Sequence, residues 1–402
     1  MVKPVMITGA GIVSAIGCGK AETLDSLSHQ RTGIGKLRYL QTEHREYPVG
    51  EVKLSDEEMK RLLGIDSEPT TRSILLGMLA VREALEEASL PLAPSNGRGD
   101  DLAFISGTTV GGMDKSERYY LDFLANDDHN EYIKTHDCGA TTDMIADKFD
   151  IFSQVTSIST ACSSAANAII YGANLIRSGR ADIAVVGGTE SLSKFHFNGF
   201  NTLMILDPEQ CRPFDATRAG LNLGEGAAYL VLESEASAKR RGVDIIGELS
   251  GYGNACDAFH QTASSDDGEG AYLAMTQALQ RAGLQPQDIS YVNAHGTGTP
   301  NNDVSESFAL KRVFGDEMPQ VSSTKGLTGH TTSASGSVEA VICLLAMRHD
   351  LIPVNYGWAH QIEGGITPAT DPKPLRPLDH VMSNAFGFGG NDSSIILSRH
   401  HA

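Results

Sequence analysis

Two stretches, DDLAFISGTTVGGMD (100–114) and QDISYVNAHGTGTPNND (287–303), decide how the chain folds. Each runs from an acidic lead through a short apolar strand into a Gly/Thr-rich loop ending in Asp, and such self-similarity marks an internal duplication. Each is followed by a small-residue loop that feeds a helical pattern, TACSSAANAII (160–170) and then GHTTSASGSVEAVICLL (329–345). The chain therefore reads as two related halves, 1–245 and 246–402, joined within residues 235–255. No Pro/Ser linker marks the join, which predicts halves fused across one interface.

Outward from these stretches, apolar β-rich runs recur before helical patterns: Val5 to Thr8, Leu102 to Ser106, Ile183 to Gly187, Ala228 to Glu233, Tyr291 to Ala294 and Ser394 to Ser398. Alternation of this kind means α/β. Because the runs are apolar rather than strictly alternating, they predict central strands covered by helices on both faces. The 402 residues, 41% hydrophobic and 20% charged, suffice for a sizeable core.

Charge narrows the partners. Lys plus Arg total 32 against 50 Asp plus Glu, a net −18, which opposes general attraction to nucleic acid or an anionic membrane. No apolar run reaches the roughly 18 residues of a spanning helix, and MVKPVMITGAG reads as strand and turn, not as a signal peptide. Cys18, Cys138, Cys162, Cys211, Cys256 and Cys343 are scattered without CxxC spacing, which argues against a zinc ribbon or a disulfide framework and predicts a reduced cytoplasm.

Among these thiols Cys162 stands apart. SISTACSSAANAIIYGANLIRSG reads as strand end, tight turn and a helix over about Ser163 to Ser178, capped by Gly179. Free backbone N–H groups and the positive helix end are expected to lower the thiol pKa there and to hold an oxyanion. The competing reading is a buried helix-start cysteine in a tight core. His295 follows an apolar strand, and His330 sits in KGLTGHTTSASG (325–336), five residues after Lys325 and nine before Glu339. Either histidine alone reads as structural; two of them with a helix-start cysteine read as a nucleophile with paired N–H donors. NAFGFGGND (384–392) offers backbone amides that can complete an oxyanion hole, or else an ordinary loop with two core aromatics. The first turn, TGAGIVSAIG (8–17), fails as a dinucleotide fingerprint because Ser14 stands where the third glycine would fall. Asp257 and His260 lack further partners for a metal, and no nucleotide or metal motif is present.

Together, VMITGAGIVSAIG, TACSSAANAI, RPFDATRAGLNLGEGAAYLVLE, NAHGTGTPNND, KGLTGH and NAFGFGGND resemble, in order and spacing, the β-ketoacyl-acyl carrier protein synthases of the thiolase-like superfamily. The resemblance implies a five-layered αβαβα sandwich of two related halves. It makes Cys162 the acyl acceptor and His295 and His330 the donors to a malonyl thioester carbonyl, with Lys325 paired to Glu339. Phe388 is similar to a gating phenylalanine whose backbone N–H joins that of Cys162 in the oxyanion hole. Thr297 and Thr299 match threonines that hold the carrier's phosphopantetheine arm, and Val110 resembles a position lining the acyl pocket. The implied reaction is a decarboxylative Claisen condensation with malonyl-acyl carrier protein, in fatty acid or type II polyketide or aryl polyene synthesis, needing no metal or organic cofactor. The implied assembly is a homodimer, or a heterodimer with a related chain-length-factor subunit lacking the cysteine.

Two departures bear on the subfamily: RAGLNLGEG replaces the usual Asp-Gly-Phe segment, and TTSASG follows His330 where Leu-Gly-Ala-Ala-Gly is common. A thiolase is the rival reading, opposed by the lack of any cysteine after Cys343. Lys60, Arg61 and Arg72 are candidate contacts for an acidic carrier, or else solvated surface charges.

Overall fold

The computed structural model describes residues 4–65, 69–93, 102–126 and 128–401. Met1 to Lys3, Ala402 and the acidic lead Asp100 and Asp101 of the first duplicated stretch lie outside them. Eleven strands among the described residues form one sheet: β1 (Val5–Ser14), β2 (Gly17–Cys18), β3 (Leu102–Gly107), β4 (Gln154–Ile158), β5 (Ile183–Glu190), β6 (Gly226–Ser234), β7 (Gly247–Cys256), β8 (Tyr291–Asn293), β9 (Gln320–Ser322), β10 (His380–Gly387) and β11 (Asn391–Ser398). Their order is β4-β3-β5-β6-β1-β7-β11-β10-β8-β9, with β2 folded back on β1.

The order is one plan used twice. In each half the first long strand lies at the centre, antiparallel to the last, which is antiparallel to the strand preceding it in sequence; the outer strands then run parallel. The two sets meet where β1 and β7 pair through Met6 with Glu248 and Ile7 with Gly247. Strand β7 starts inside the segment read as the join, so the connection itself is short.

Side chains alternate between two cores along the strands of each half. Ile183 and Val185 of β5 face the helix Arg72–Glu87, whereas Ala184 and Val186 face the molecular centre. In the second half Ile396 faces the helix Glu269–Ala282, and Ile395 and Leu397 face the centre. The centre is filled by the helices Ser164–Ser178 and Ser335–His349, which pack against both sets of strands and each other. This gives the five αβαβα layers expected from the sequence. Residues Ser335 to Met347 are all buried, consistent with a helix that is apolar on every side and enclosed by protein.

Five of the six predicted runs fall within strands and the sixth, Tyr291 to Ala294, overruns β8 by one residue, but the glycine turn after Thr8 is absent. Strand β1 continues to Ser14 because Gly9 and Gly11 serve helix packing: added Cβ atoms would lie 2.3 Å from the Ala84 carbonyl oxygen and 2.0 Å from that of Ala80. In β7, Cβ atoms added at Gly251 and Gly253 would likewise lie 2.3 and 2.0 Å from the Ala278 and Ala274 carbonyl oxygens. Duplication thus extends to the close approach of helix on strand.

Candidate active site

The two central helices carry functional groups at corresponding ends. Beyond β4 the chain turns through Ala161, whose φ of 51° is unusual for a residue with a side chain. The turn is held by Ser163 and Ser164 amides donating to the Thr160 and Ala161 carbonyls, and by the Ser164 hydroxyl donating to the Ala161 carbonyl at 2.6 Å. Cys162 is buried at its tip, and the helix Ser164–Ser178 ends at left-handed Gly179 as the sequence predicts. The Gly387 backbone leans on this turn; a Cβ there would lie 2.8 Å from the Thr160 carbonyl and 3.2 Å from the Cys162 amide. The Phe388 amide is thereby brought to hydrogen-bond the Cys162 sulfur.

The histidines enter from the second half. The chain leaves β8 at His295, where Glu306 Oε1 and Oε2 accept the amides of His295 and Gly296 at 2.8 and 2.7 Å. His330 precedes the other central helix. Its amide donates to the Asn222 carbonyl, and its carbonyl accepts from the Gly224 amide. His330 Nε2 lies 3.1 Å from Cys162 Sγ, and its Nδ1 lies 3.1 Å from Ser335 Oγ. The imidazoles meet edge to face at 82°, with ring centres 5.3 Å apart. Lys325 and Glu339 form a buried ion pair, the partnership the resemblance implied.

Burial dominates the electrostatics. It drives both imidazoles well below their ordinary pKa, with the Lys325 ammonium adding to the effect on each, so both are neutral. Burial pushes Glu339 and Glu306 up to about 7. It also pushes the Cys162 thiol up to about 11, against the lowering pull of Lys325 and of the Phe388 and Cys162 amides. The expected thiol activation at the helix start is therefore present as a contribution but outweighed; the thiol is protonated at rest. Cys162, His295 and His330 form a compact group of potential metal ligands, with donor atoms all within 4.8 Å. The nearby Lys325 charge opposes a cation there.

A cavity of about 310 Å³ opens onto these groups. Cys162, His295, His330, Thr297, Thr299 and Phe388 all line it, and the two threonine hydroxyls lie 2.9 Å apart. Phe388 stacks on Phe200 at 5.8 Å, and Phe386 packs against His295. Val110 is buried but does not line this cavity; it follows Thr109, whose hydroxyl lies 3.5 Å from the Ala161 carbonyl behind the cysteine turn. Arg72 is not a surface contact. Its guanidinium is buried against Glu225 and Asp56, so it is unavailable to a carrier, whereas Lys60 is partly buried near Glu57 and Arg61 is exposed. Asp257 is spent on the Ser265 and Gly270 amides, and the exposed His260 is not joined to it.

Glu306 and Ser335 were not singled out from sequence. A glutamate eleven residues after His295 is legible only once the intervening loop is known to fold back, and Ser335 looks like one more small residue in TTSASG.

Residues 2–238 match the family model described as beta-ketoacyl synthase, N-terminal domain, and residues 246–358 that described as beta-ketoacyl synthase, C-terminal domain. A 3-oxoacyl-[acyl-carrier-protein] synthase 2 from Coxiella burnetii is 33% identical over 410 residues, covering 98% of each chain. Among solved structures, the ishigamide ketosynthase/chain length factor is similar with a TM-score of 0.91 and 30% identity over all of both chains. A ketosynthase in complex with its chain length factor from Xenorhabdus doucetiae gives a TM-score of 0.86 and 32% identity over 99% of this chain and 98% of that one.

Proposed function

The chain belongs to the β-ketoacyl synthase family, and from that premise we propose that it condenses a Cys162-bound acyl group with malonyl-acyl carrier protein to give a 3-oxoacyl chain two carbons longer. The observation that carries this reading is the convergence of Cys162, His295, His330 and the Phe388 amide on one cavity. In the first half-reaction the Cys162 sulfur attacks an acyl thioester. The Cys162 and Phe388 amides receive the oxyanion, and the carrier departs as a thiol carrying the proton that Cys162 gives up. In the second, the bond from the malonyl α-carbon to its carboxylate breaks and CO2 leaves. The electron pair forms an enolate whose oxygen accepts hydrogen bonds from neutral His295 and His330. The enolate carbon then attacks the acyl-cysteine carbon, the carbon–sulfur bond breaks to leave the Cys162 thiolate, and that thiolate takes a proton from solvent to close the cycle. CO2 is the leaving group, so the reaction as written uses no metal or organic cofactor. Thr297 and Thr299 would hold the phosphopantetheine arm at the cavity, Lys325 with Glu339 would order the histidine side of the site, and Val110 would lie along the acyl path.

Two similar solved structures are ketosynthase and chain length factor assemblies, which supports a heterodimer and a polyketide or polyene product over housekeeping fatty acid elongation. An open sheet edge is consistent with a partner of either kind: β4 is the edge strand of its half, and Val155 is 39% exposed. No described helix is long and apolar enough to cross a membrane. The free state of all six cysteines supports a reducing compartment such as the cytoplasm.

The test is incubation with a panel of acyl carrier protein thioesters varied in length and unsaturation, read by peptide mass spectrometry. One acyl group on Cys162 is expected. Acylation elsewhere, or none across the panel, would overturn the assignment.

A further inference from the structure

The two imidazoles are held in different ways. His295 Nδ1 is buried without a hydrogen-bond partner among the described residues, and only its backbone is clamped, by Glu306. His330 Nδ1 instead faces the Ser335 hydroxyl at 3.1 Å, and the Thr331 hydroxyl lies 3.5 Å behind that oxygen as a donor to it. Ser335 and Thr331 are both fully enclosed, so neither hydroxyl has water as an alternative partner.

A neutral imidazole carries one proton, on either nitrogen, and its hydrogen-bond partners decide which. The Ser335 oxygen accepts a hydrogen bond from the Thr331 hydroxyl, which leaves its own hydrogen free to donate to His330 Nδ1. The imidazole proton is then on Nε2, the nitrogen facing Cys162 Sγ and the cavity. We propose that Ser335 is a positioning residue that fixes His330 in the Nε2-protonated tautomer. The inference rests on the reading of His330 as a donor to the malonyl thioester oxygen. In the other tautomer His330 would turn a lone pair toward the developing enolate oxygen, and that half of the stabilisation would vanish.

The experiment uses full-length protein with 15N-labelled histidine, the His330 signals being assigned by their loss in His330→Asn. NMR of the free enzyme is expected to show Nε2 protonated and Nδ1 bare. In Ser335→Ala the two tautomers should mix. Decarboxylation of malonyl-acyl carrier protein should then fall about two- to threefold, in proportion to the Nε2-protonated fraction that remains, with KM and Cys162 acylation unchanged. Ser335→Thr, which returns the hydroxyl, should restore both the spectrum and the rate. A wild-type proton on Nδ1, or an unchanged spectrum and rate in Ser335→Ala, would overturn the proposal. The spectrum needs no substrate. A wild-type enzyme that leaves malonyl carrier intact would therefore refute the proposed reaction while leaving the tautomer to be judged on its own signals.

Discussion

The turn before helix Ser164–Ser178 and the turn before helix Ser335–His349 hold equivalent stations in the two halves, yet one presents a thiol and the other an imidazole. Each station offers the same physical resources: a helix start with free amides, small residues that permit close approach, and enclosure by the opposite half. The difference lies in what was added. Around Cys162 the additions are backbone, the Ala161 turn and the Phe388 amide. Around His330 they are side chains, Ser335, Thr331 and the Lys325–Glu339 pair. Duplication thus supplies two helix starts beside one cavity, and under the proposed mechanism local substitution divides two half-reactions between them.

The largest effect should come from removing the thiol. Cys162→Ala is expected to lower condensation more than 1000-fold, while CO2 release from malonyl-acyl carrier protein continues, because the histidines remain. Loss of both activities would mean that the stations do not divide the work. Next in size, His330→Ala and His295→Ala should each reduce CO2 release roughly 100-fold, the scale of one oxyanion donor. Both should leave single-turnover acylation of Cys162 within a few-fold of wild type. An unchanged rate of CO2 release in either variant would remove that imidazole from the enolate site.

The pH dependence sharpens the same contrast. With burial holding the Cys162 thiol near 11, the thiolate fraction rises about tenfold per pH unit across the neutral and mildly alkaline range, where an unperturbed thiol would level off near 8.5. Alkylation of Cys162 by iodoacetamide, followed by mass spectrometry, should show no plateau up to pH 10. A plateau near pH 7 would show that the amides and Lys325 outweigh burial after all.

Much of this was legible in the chain. The duplicated strand-and-loop stretches and the small-residue loops pointed to the repeated strand plan, and the ordered Cys162, His295 and His330 motifs pointed to residues that share one cavity, because a candidate site built on helix starts and strand ends leaves glycine, threonine and small residues in sequence. What stayed hidden depends on distance through space. Strand β4, QVTSI, is polar and exposed because it is an edge. Strand β7 is broken by glycines that only a packed helix explains. The Cys162 pKa followed the helix-start argument in direction for one contribution and failed in sum, since burial is set by the whole fold. Arg72, a free cation by sequence, is enclosed with Glu225 and Asp56 from distant segments.

The smallest expected effect tests whether the two stations are held together by the crossing of their helices. A Cβ at Gly336 would come within 2.8 Å of both the Cβ and the amide nitrogen of Ala166. Since backbone does not yield, the helices themselves must move apart. Gly336→Ala gains helix propensity and pays in overpacking, a net loss of about 1 kcal/mol. Gly283→Ala makes a control of similar cost: its φ of 69° disfavours a side chain, but the space around it is open and it caps a helix on the outer layer. Both variants should melt a few degrees below wild type. Only Gly336→Ala should also lower kcat for condensation, by a few-fold, because shifting either central helix moves Cys162 relative to His330. Equal kcat in the two variants would mean that the site is aligned by its loops, and that the crossing supplies stability alone.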